Sequence, residues 1–381
     1  MSETLFIGGQ ILLDGKLQEG KAIAVANGRV IDILDAESAI STAESVHIGD
    51  GLLLPGFVDL QVNGGGGKLL NDDPSVETIQ TIAKAHAQFG TTAMLPTLIS
   101  DDLEKVRAAI SAVDSAIEQG IPGIVGIHLE GPFLSTDRKG VHDESKFRDF
   151  GTEHVELMSS LNRGQTLVTL SPERASPDVI RALREQGVVV SAGHTNASYQ
   201  EMRAAMEAGV TGFTHLFNAM SPLTSREPGV VGAALEDPNS WCGIIVDGHH
   251  VSPATLRLAL RCKPLEKFML VTDAMPSVGM EDGSFQLQGR RIHVEDGICM
   301  AEDGTLAGSD LDMARAVRNT IATLDVRLED ACAMASAHPA QFIGLSQDIG
   351  SICVGARADF ALVDSNLHVI SSWIGGKKVH G

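Results

Sequence analysis

The stretch from Leu167 to His194, LVTLSPERASPDVIRALREQGVVVSAGH, decides the fold. Leu167–Leu170 is an apolar run of strand length. Ser176-Pro177 then starts a helix, with Ser able to cap an orphan backbone N–H and Pro at the first helical position, where no N–H is needed. Ile180 and Leu183 recur at helical spacing. Val188–Ala192 is a second apolar run, and it leads into Gly193-His194. A strand, a crossover helix and a second strand form the unit from which parallel sheets are built.

The same unit recurs on both sides. Candidate strands are Gly56–Gln61, Thr92–Pro96, Ile124–Glu130, Gly212–His215, Gly243–Val246 and Phe268–Thr272. Asp101–Gln119 carries Leu103, Val106, Ile110, Val113 and Ile117 at helical spacing and is closed by Gly120. Ser252-Pro253 repeats the helix start before Leu256 and Leu260. This alternation predicts an α/β fold, a (β/α)8 TIM-type barrel over residues 55–348. Gly283–Gly308 breaks the rhythm with short β-like pieces, Phe285–Leu287, Arg291–Val294 and Ile298–Met300, and predicts a β excursion near 283–308 after the eighth strand.

The two ends read differently. Leu5–Leu13 is apolar and broken by Gly8-Gly9, and Asn27-Gly28 between Ala22–Ala26 and Arg29–Leu34 is a hairpin signal. Ala358–Val363, His368–Trp373 and the Gly375-Gly376 turn return to that pattern. Neither end suffices for a stable sheet alone. Residues 1–54 and 349–381 are therefore expected to combine into one small β-sandwich domain.

Composition narrows the function. Hydrophobic residues make up 43% and charged residues 20% of the 381, a globular profile. A net charge of −20 repels nucleic acid and anionic membranes, and no apolar run approaches the ~18 residues of a membrane helix, so neither is an expected partner. Met1-Ser2-Glu3-Thr4 shows no basic leader before an apolar stretch. Cys242, Cys262, Cys299, Cys332 and Cys353 are scattered and odd in number, which points to reduced thiols and a cytoplasmic chain.

In a barrel of this kind the chemistry sits where strands give way to loops. Those positions hold Gln61 and Asn63, Glu130, His194, His215, His249-His250 and Asp273. Each alone is weak, but from separate strand ends they converge on one axis. Two neutral imidazoles and a carboxylate form a zinc-type catalytic set with an open position, and a further carboxylate nearby can act as general base. Among the remaining polar residues, His128 reads as either a barrel-layer residue or a neighbour of the site, and His86, within Ile82–Phe89, reads as helical surface. Gly64-Gly65-Gly66-Gly67 lacks the Lys-Ser/Thr of a phosphate loop and reads as a segment needing close backbone approach, near the metal.

Five stretches carry a family resemblance: Leu54-Pro55-Gly56-Phe57-Val58-Asp59, His128-Leu129-Glu130-Gly131-Pro132-Phe133, Ser191-Ala192-Gly193-His194-Thr195, Thr214-His215-Leu216-Phe217-Asn218-Ala219-Met220 and Val271-Thr272-Asp273-Ala274. Over essentially the whole chain the sequence resembles the N-acetylglucosamine-6-phosphate deacetylases of the amidohydrolase superfamily. The resemblance implies Glu130, His194 and His215 as metal ligands and Asp273 as catalytic acid/base. It implies His142, in Lys139-Gly140-Val141-His142, beside the acetamide, with Asn218, Ala219, Arg226 and His250 on the sugar phosphate. It also implies a homodimer, with Arg226 reaching the phosphate either within its own chain or across the interface. Most superfamily members carry H-x-H where this chain has Gln61-Val62-Asn63. Neutral amides are poor transition-metal ligands, and the resemblance is to the single-metal subset, so one divalent ion per chain is expected: zinc, with iron or cobalt as alternatives.

The implied reaction hydrolyses the acetamide of a phosphorylated amino sugar to glucosamine 6-phosphate and acetate, with Asp273 as base and then acid and His142 stabilising the oxyanion. Arg226, His250 and Lys139 would supply local positive charge for the phosphate in an otherwise acidic protein. A cyclic-amide hydrolase or deaminase on the same barrel is opposed by the absent H-x-H and by the segment Arg226-Glu227-Pro228-Gly229. A non-enzymatic scaffold is opposed by the intact Glu130, His194, His215 and Asp273.

Overall fold

A computed structural model describes residues 4–38, 44–280 and 283–381. Met1-Ser2-Glu3, read above for a leader, lies outside them. Eight parallel strands form one sheet in strict chain order: Phe57–Val62, Thr91–Ile99, Gly126–Glu130, Gln165–Leu170, Val189–Ala192, Gly212–Phe213, Trp241–Ile244 and Phe268–Leu270. A parallel bridge between Val62 and Ala274 brings the last strand's continuation back to the first, and the barrel expected from the alternation is borne out. The Asp59 carboxylate works at this seam, accepting from the Thr272 Oγ1 at 2.5 Å and from the backbone N–H groups of Gln61 and Thr272. Burial pushes Asp59 up to about 7.

The local signals explain most of the elements. Ser176 Oγ accepts from the Val179 N–H at the start of helix Pro177–Glu185. The helix Leu103–Glu118 buries Val106, Ile110 and Val113, and Gly120 follows with φ +70°. The second strand is longer than its sequence suggested, because Pro96 does not end it. The pairing slips between Met94 and Pro96, and the irregularity lets a residue without an N–H sit inside the strand. The sixth and eighth strands are shorter than predicted, since they stop before His215 and Asp273.

The β excursion forms an antiparallel sheet of Ser284–Leu287, Arg290–Glu295, Ile298–Ala301 and Leu306–Ser309. It returns to the barrel where Ser309 bridges Ala274. Two further sheets draw on the chain ends. Thr4–Ile7, Lys21–Ala26, Arg29–Asp35 and Glu44–His47 make one; Gln10–Leu13, Lys16–Glu19, Leu52–Pro55, Phe360–Val363, Val369–Ile374 and Lys377–His380 make the other. Phe6 packs edge-on to Phe360 and Trp373 at 4.9 and 5.2 Å, so residues from opposite ends of the chain share one core. Asn27 and Gly28 turn the hairpin between Lys21–Ala26 and Arg29–Asp35 with φ +54° and +77°. No helix among the described residues is long and apolar enough to cross a membrane.

Candidate active site and metal centre

Glu130, at the end of the third strand, is buried against two imidazoles. Its Oε1 lies 3.2 Å from His194 Nε2 and 2.9 Å from His215 Nε2, and the two Nε2 atoms are 3.0 Å apart. All three donor atoms lie within 4.8 Å of one another. His194 Nδ1 donates to the Arg138 carbonyl at 2.8 Å, and since a carbonyl only accepts, the proton sits on Nδ1. The Nε2 lone pair is thereby turned toward Glu130 and His215. Two imidazole nitrogens converging with a carboxylate oxygen at these separations suit a small divalent ion bound to all three, and His/His/carboxylate is the donor set such ions take. The residues present fit the group.

Three side chains of the site share an unusual backbone. His194, His215 and Asp273 have φ +48°, +33° and +53°, a region that non-glycine residues seldom occupy. Each strand therefore ends in a left-handed kink that redirects the side chain. At Asp273 the kink is pinned on both sides: its N–H donates to the Gln61 carbonyl and its carbonyl accepts from the Ser309 N–H. Gly308 lies beneath, where a Cβ would stand 2.7 Å from the Asp273 oxygen.

Gln61 and Asn63 act as donors. Gln61 Nε2 reaches both oxygens of Glu130, at 3.2 and 3.1 Å, and Asp273 Oδ1 at 3.1 Å. Asn63 Nδ2 donates to the same Asp273 oxygen at 2.7 Å. At these two positions the chain presents amide N–H groups to the carboxylates. Burial, reinforced by the Glu130 charge, raises Asp273 to about 6.

The cleft over this cluster has a volume of about 240 Å³. Glu130, His142, His194, His215, Asn218, Ala219, His250 and Asp273 line it together, as does Asn63. Burial holds His142 well below its usual range, a neutral imidazole beside the ligand set. His250 is tied through Nδ1 to Asp247 at 2.6 Å, and Asp247 also accepts the His249 and His250 N–H groups. Burial would raise Asp247, but the His250 hydrogen bond holds it at about 2. Arg226 is not part of this lining; it is exposed on the loop between Pro222 and Pro228. Lys139 is on the surface too, paired with Glu144 at 3.2 Å.

Two readings of neighbouring residues are now sharper. His86 is fully buried, contrary to its reading as helical surface. Its Nε2 lies 2.9 Å from the Gly64 carbonyl, and the niche exists because Gly65 has no side chain, where a Cβ would come within 2.9 Å of the ring. The glycine run makes its close approaches to His86 and to the Pro276 backbone. His128 is a barrel-layer residue, its Nε2 2.7 Å from Thr169 Oγ1. Met275, Thr305 and Leu306 also line the cleft, and nothing in their residue types announced it. Ser100, which touches His142, follows the strand-end rule, but Pro96 hid the true end of that strand.

The amidohydrolase family model matches residues 52–379. The chain is 43% identical to N-acetylgalactosamine-6-phosphate deacetylase of Shewanella sp. (strain ANA-3), over 98% of this chain and 95% of that one. It is 35% identical to N-acetylglucosamine-6-phosphate deacetylase of Vibrio furnissii, covering 97% and 94% respectively. The crystal structure of N-acetylglucosamine-6-phosphate deacetylase from Pasteurella multocida superposes with a TM-score of 0.96 at 33% identity, over 100% of both chains. The resemblance read from the motifs is borne out, and the site lies in the matched region: the chain belongs to the amidohydrolase family.

Proposed function

We propose that this chain deacetylates N-acetylglucosamine 6-phosphate, giving glucosamine 6-phosphate and acetate. The observation that carries the reading is the convergence of Glu130, His194 and His215 on one point, with the Asp273 carboxylate in the same cleft. Those three residues would hold one divalent ion, zinc first and iron or cobalt as alternatives; when bound, the ion supplies Lewis-acid chemistry to water and to the amide carbonyl.

The rest is the work of the chain's own residues. Asp273 Oδ1 is occupied by the Gln61 and Asn63 amides, so Oδ2 is the oxygen left for proton transfer. It takes a proton from the attacking water and returns it to the nitrogen as the C–N bond breaks, so the amine leaves neutral, and the acetic acid left behind gives up the second water proton to solvent to become acetate. With its acidity lowered toward pH 6, Asp273 is matched to both tasks near neutrality. His142, neutral and facing the cleft, donates to the acetamide oxygen as negative charge grows there. Asn218, Ala219 and His250 take the sugar and its phosphate.

Arg226 completes the phosphate site from a second copy of the chain. Its exposed loop adjoins an apolar groove of about 690 Å³ that includes Phe217, Leu223 and Leu258, with Leu223 and Leu258 59% and 62% exposed. Such surface favours burial in a homodimer. A cytoplasmic location agrees with five free cysteines.

The Shewanella relative favours a second reading, the galacto epimer of the same substrate. Acetate release from N-acetylglucosamine 6-phosphate, N-acetylgalactosamine 6-phosphate and unphosphorylated N-acetylglucosamine tests both, alongside metal analysis of the dialysed protein. We expect about one equivalent of metal per chain and strong preference for the phosphorylated sugars. Activity confined to the galacto epimer would replace the first reading with the second. Two tightly held equivalents, both needed for turnover, would sink the single-ion site.

A further inference from the structure

His142 is held by contacts that the reaction itself does not use. Its Nδ1 accepts from the Ser100 backbone N–H at 3.3 Å and lies 2.8 Å from Ser100 Oγ. A backbone N–H cannot accept. A bare Nδ1 satisfies both contacts, since the N–H is aimed at it and the hydroxyl can turn its own proton there, whereas a proton on Nδ1 could be met only by Oγ and would oppose the N–H; the hydrogen therefore belongs on Nε2. The ring lines the cleft, and Nε2 has no partner among the described residues. The bond at one nitrogen thus makes the other a donor toward the cleft.

Ser100 is in turn held from the β excursion, far away in sequence. The hairpin between Ser284–Leu287 and Arg290–Glu295 turns on Gln288 and Gly289, both left-handed at φ +49° and +80°. Gln288 stands at the tip. Its Nε2 donates to the Ser100 carbonyl at 2.8 Å, and its Oε1 accepts from the Asp143 N–H at 3.2 Å. Both ends of one amide are used, each with the partner its chemistry requires. Arg290, on the other side of the turn, donates to the Val141 carbonyl. The hairpin tip therefore grips the backbone on both sides of His142, and also the residue that sets its tautomer. Val141 and Leu287 belong to the apolar cluster beneath, which gives the contact a packed base.

We propose that Ser100 and Gln288 are positioning residues for His142: Ser100 fixes its Nε2–H tautomer, and Gln288 locks Ser100 and the His142 loop into one frame. The excursion then serves the reaction through this clamp as well as through the cleft wall at Thr305 and Leu306. This inference rests on the reading of His142 as donor to the acetamide oxygen.

The test uses the zinc-loaded protein and N-acetylglucosamine 6-phosphate or its galacto epimer, whichever is turned over. Gln288→Leu is nearly isosteric at a half-buried site and should fold. We expect its kcat to fall about 10–100-fold, less than the ~10²–10³-fold cost of deleting an oxyanion donor, with KM within about twofold and metal content unchanged. Gln288→Glu keeps the acceptor for Asp143 but loses the donor to Ser100, and should fall between. In a His142→Ala background, Gln288→Leu should cost little more, because its effect passes through the missing imidazole. Nitrogen NMR of histidine-labelled protein, with the His142 signal identified by its loss in His142→Ala, should show a single Nε2–H tautomer. It should show a mixed population in Gln288→Leu, whereas Ser100→Ala, which keeps the backbone N–H, should remain the Nε2–H tautomer. An equal loss from Gln288→Leu in both backgrounds would overturn the proposal, as would an Nδ1–H tautomer in the unaltered protein. A His142→Ala variant with undiminished turnover would instead remove the reading of His142 on which the proposal stands.

Discussion

In the proposed reaction Asp273 moves a proton twice, and the Gln61 and Asn63 amides on Oδ1 leave it Oδ2 for doing so. Asp273→Asn would keep the volume and lose the proton. We expect kcat to drop ~10²–10⁴-fold, the usual worth of general acid–base catalysis, while metal content stays near that of the unaltered protein. Elemental analysis beside steady-state kinetics decides it: near-normal turnover removes Asp273 from the mechanism, and loss of the ion moves it into the ligand set. The polar residues of the site were legible in the sequence because each follows an apolar run, and Glu130, His194, His215 and Asp273 do meet in space. Less legible was the conformation that brings them together. A left-handed φ at a histidine or aspartate has no signature as clear as the glycine at a turn, so the expected sixth strand runs through His215 and the expected eighth runs to Thr272, whereas they stop at Phe213 and Leu270. Thr305 and Leu306 enter the cleft through the path of the excursion, which their residue types do not encode.

The elements around the site depend on small residues that leave room for large ones. The hairpin of Gly64–Gly65 with Lys68–Leu69 lies against helix Val76–Ala87, and His86 fills the gap left by Gly65. A methyl group at Gly65 would lie 2.9 Å from two atoms of the His86 ring. Gly65→Ala should therefore destabilise the fold by about 1–3 kcal/mol through overpacking and loss of the His86–Gly64 contact. Combining it with His86→Ala should cost less than the sum of the two single changes, because the second removes the clash. Thermal unfolding of the four proteins tests this; strict additivity would mean that the ring and the glycine do not share the niche. Here too the sequence was partly readable. The glycine run called for close approach, but its partner, twenty residues further along a helix of ordinary appearance, looked like a surface histidine. Pro96 misled in the opposite sense: a residue that ordinarily ends strands is accommodated at an irregularity, and three more strand residues follow it to Ile99.

The whole molecule raises a question of ownership, since Arg226 is exposed and outside the cleft of its own chain. Arg226→Ala should weaken kcat/KM for the phosphorylated sugar by ~1.5–3 kcal/mol, as expected for a charged hydrogen bond, and should spare the unphosphorylated one. If the arginine is supplied by the partner, mixing Arg226→Ala chains with Asp273→Asn chains creates one site per mixed dimer with both groups intact, and activity returns. If it acts within its own chain, mixing restores nothing. The acidic excess of the surface is compatible with an anionic substrate, since only the cleft must attract it. The seam between the chain ends matters in another setting. Strand Leu52–Pro55 pairs with Phe360–Val363, so during synthesis the earlier strand must wait for one that follows only after the whole barrel. On the ribosome, the edge of that early sheet stays bare until the barrel between the two strands has been translated. A premature stop just before Phe360 would therefore leave the strand Leu52–Pro55 without that neighbour. Such a product would be a target for chaperones and proteases even though its barrel had been translated in full.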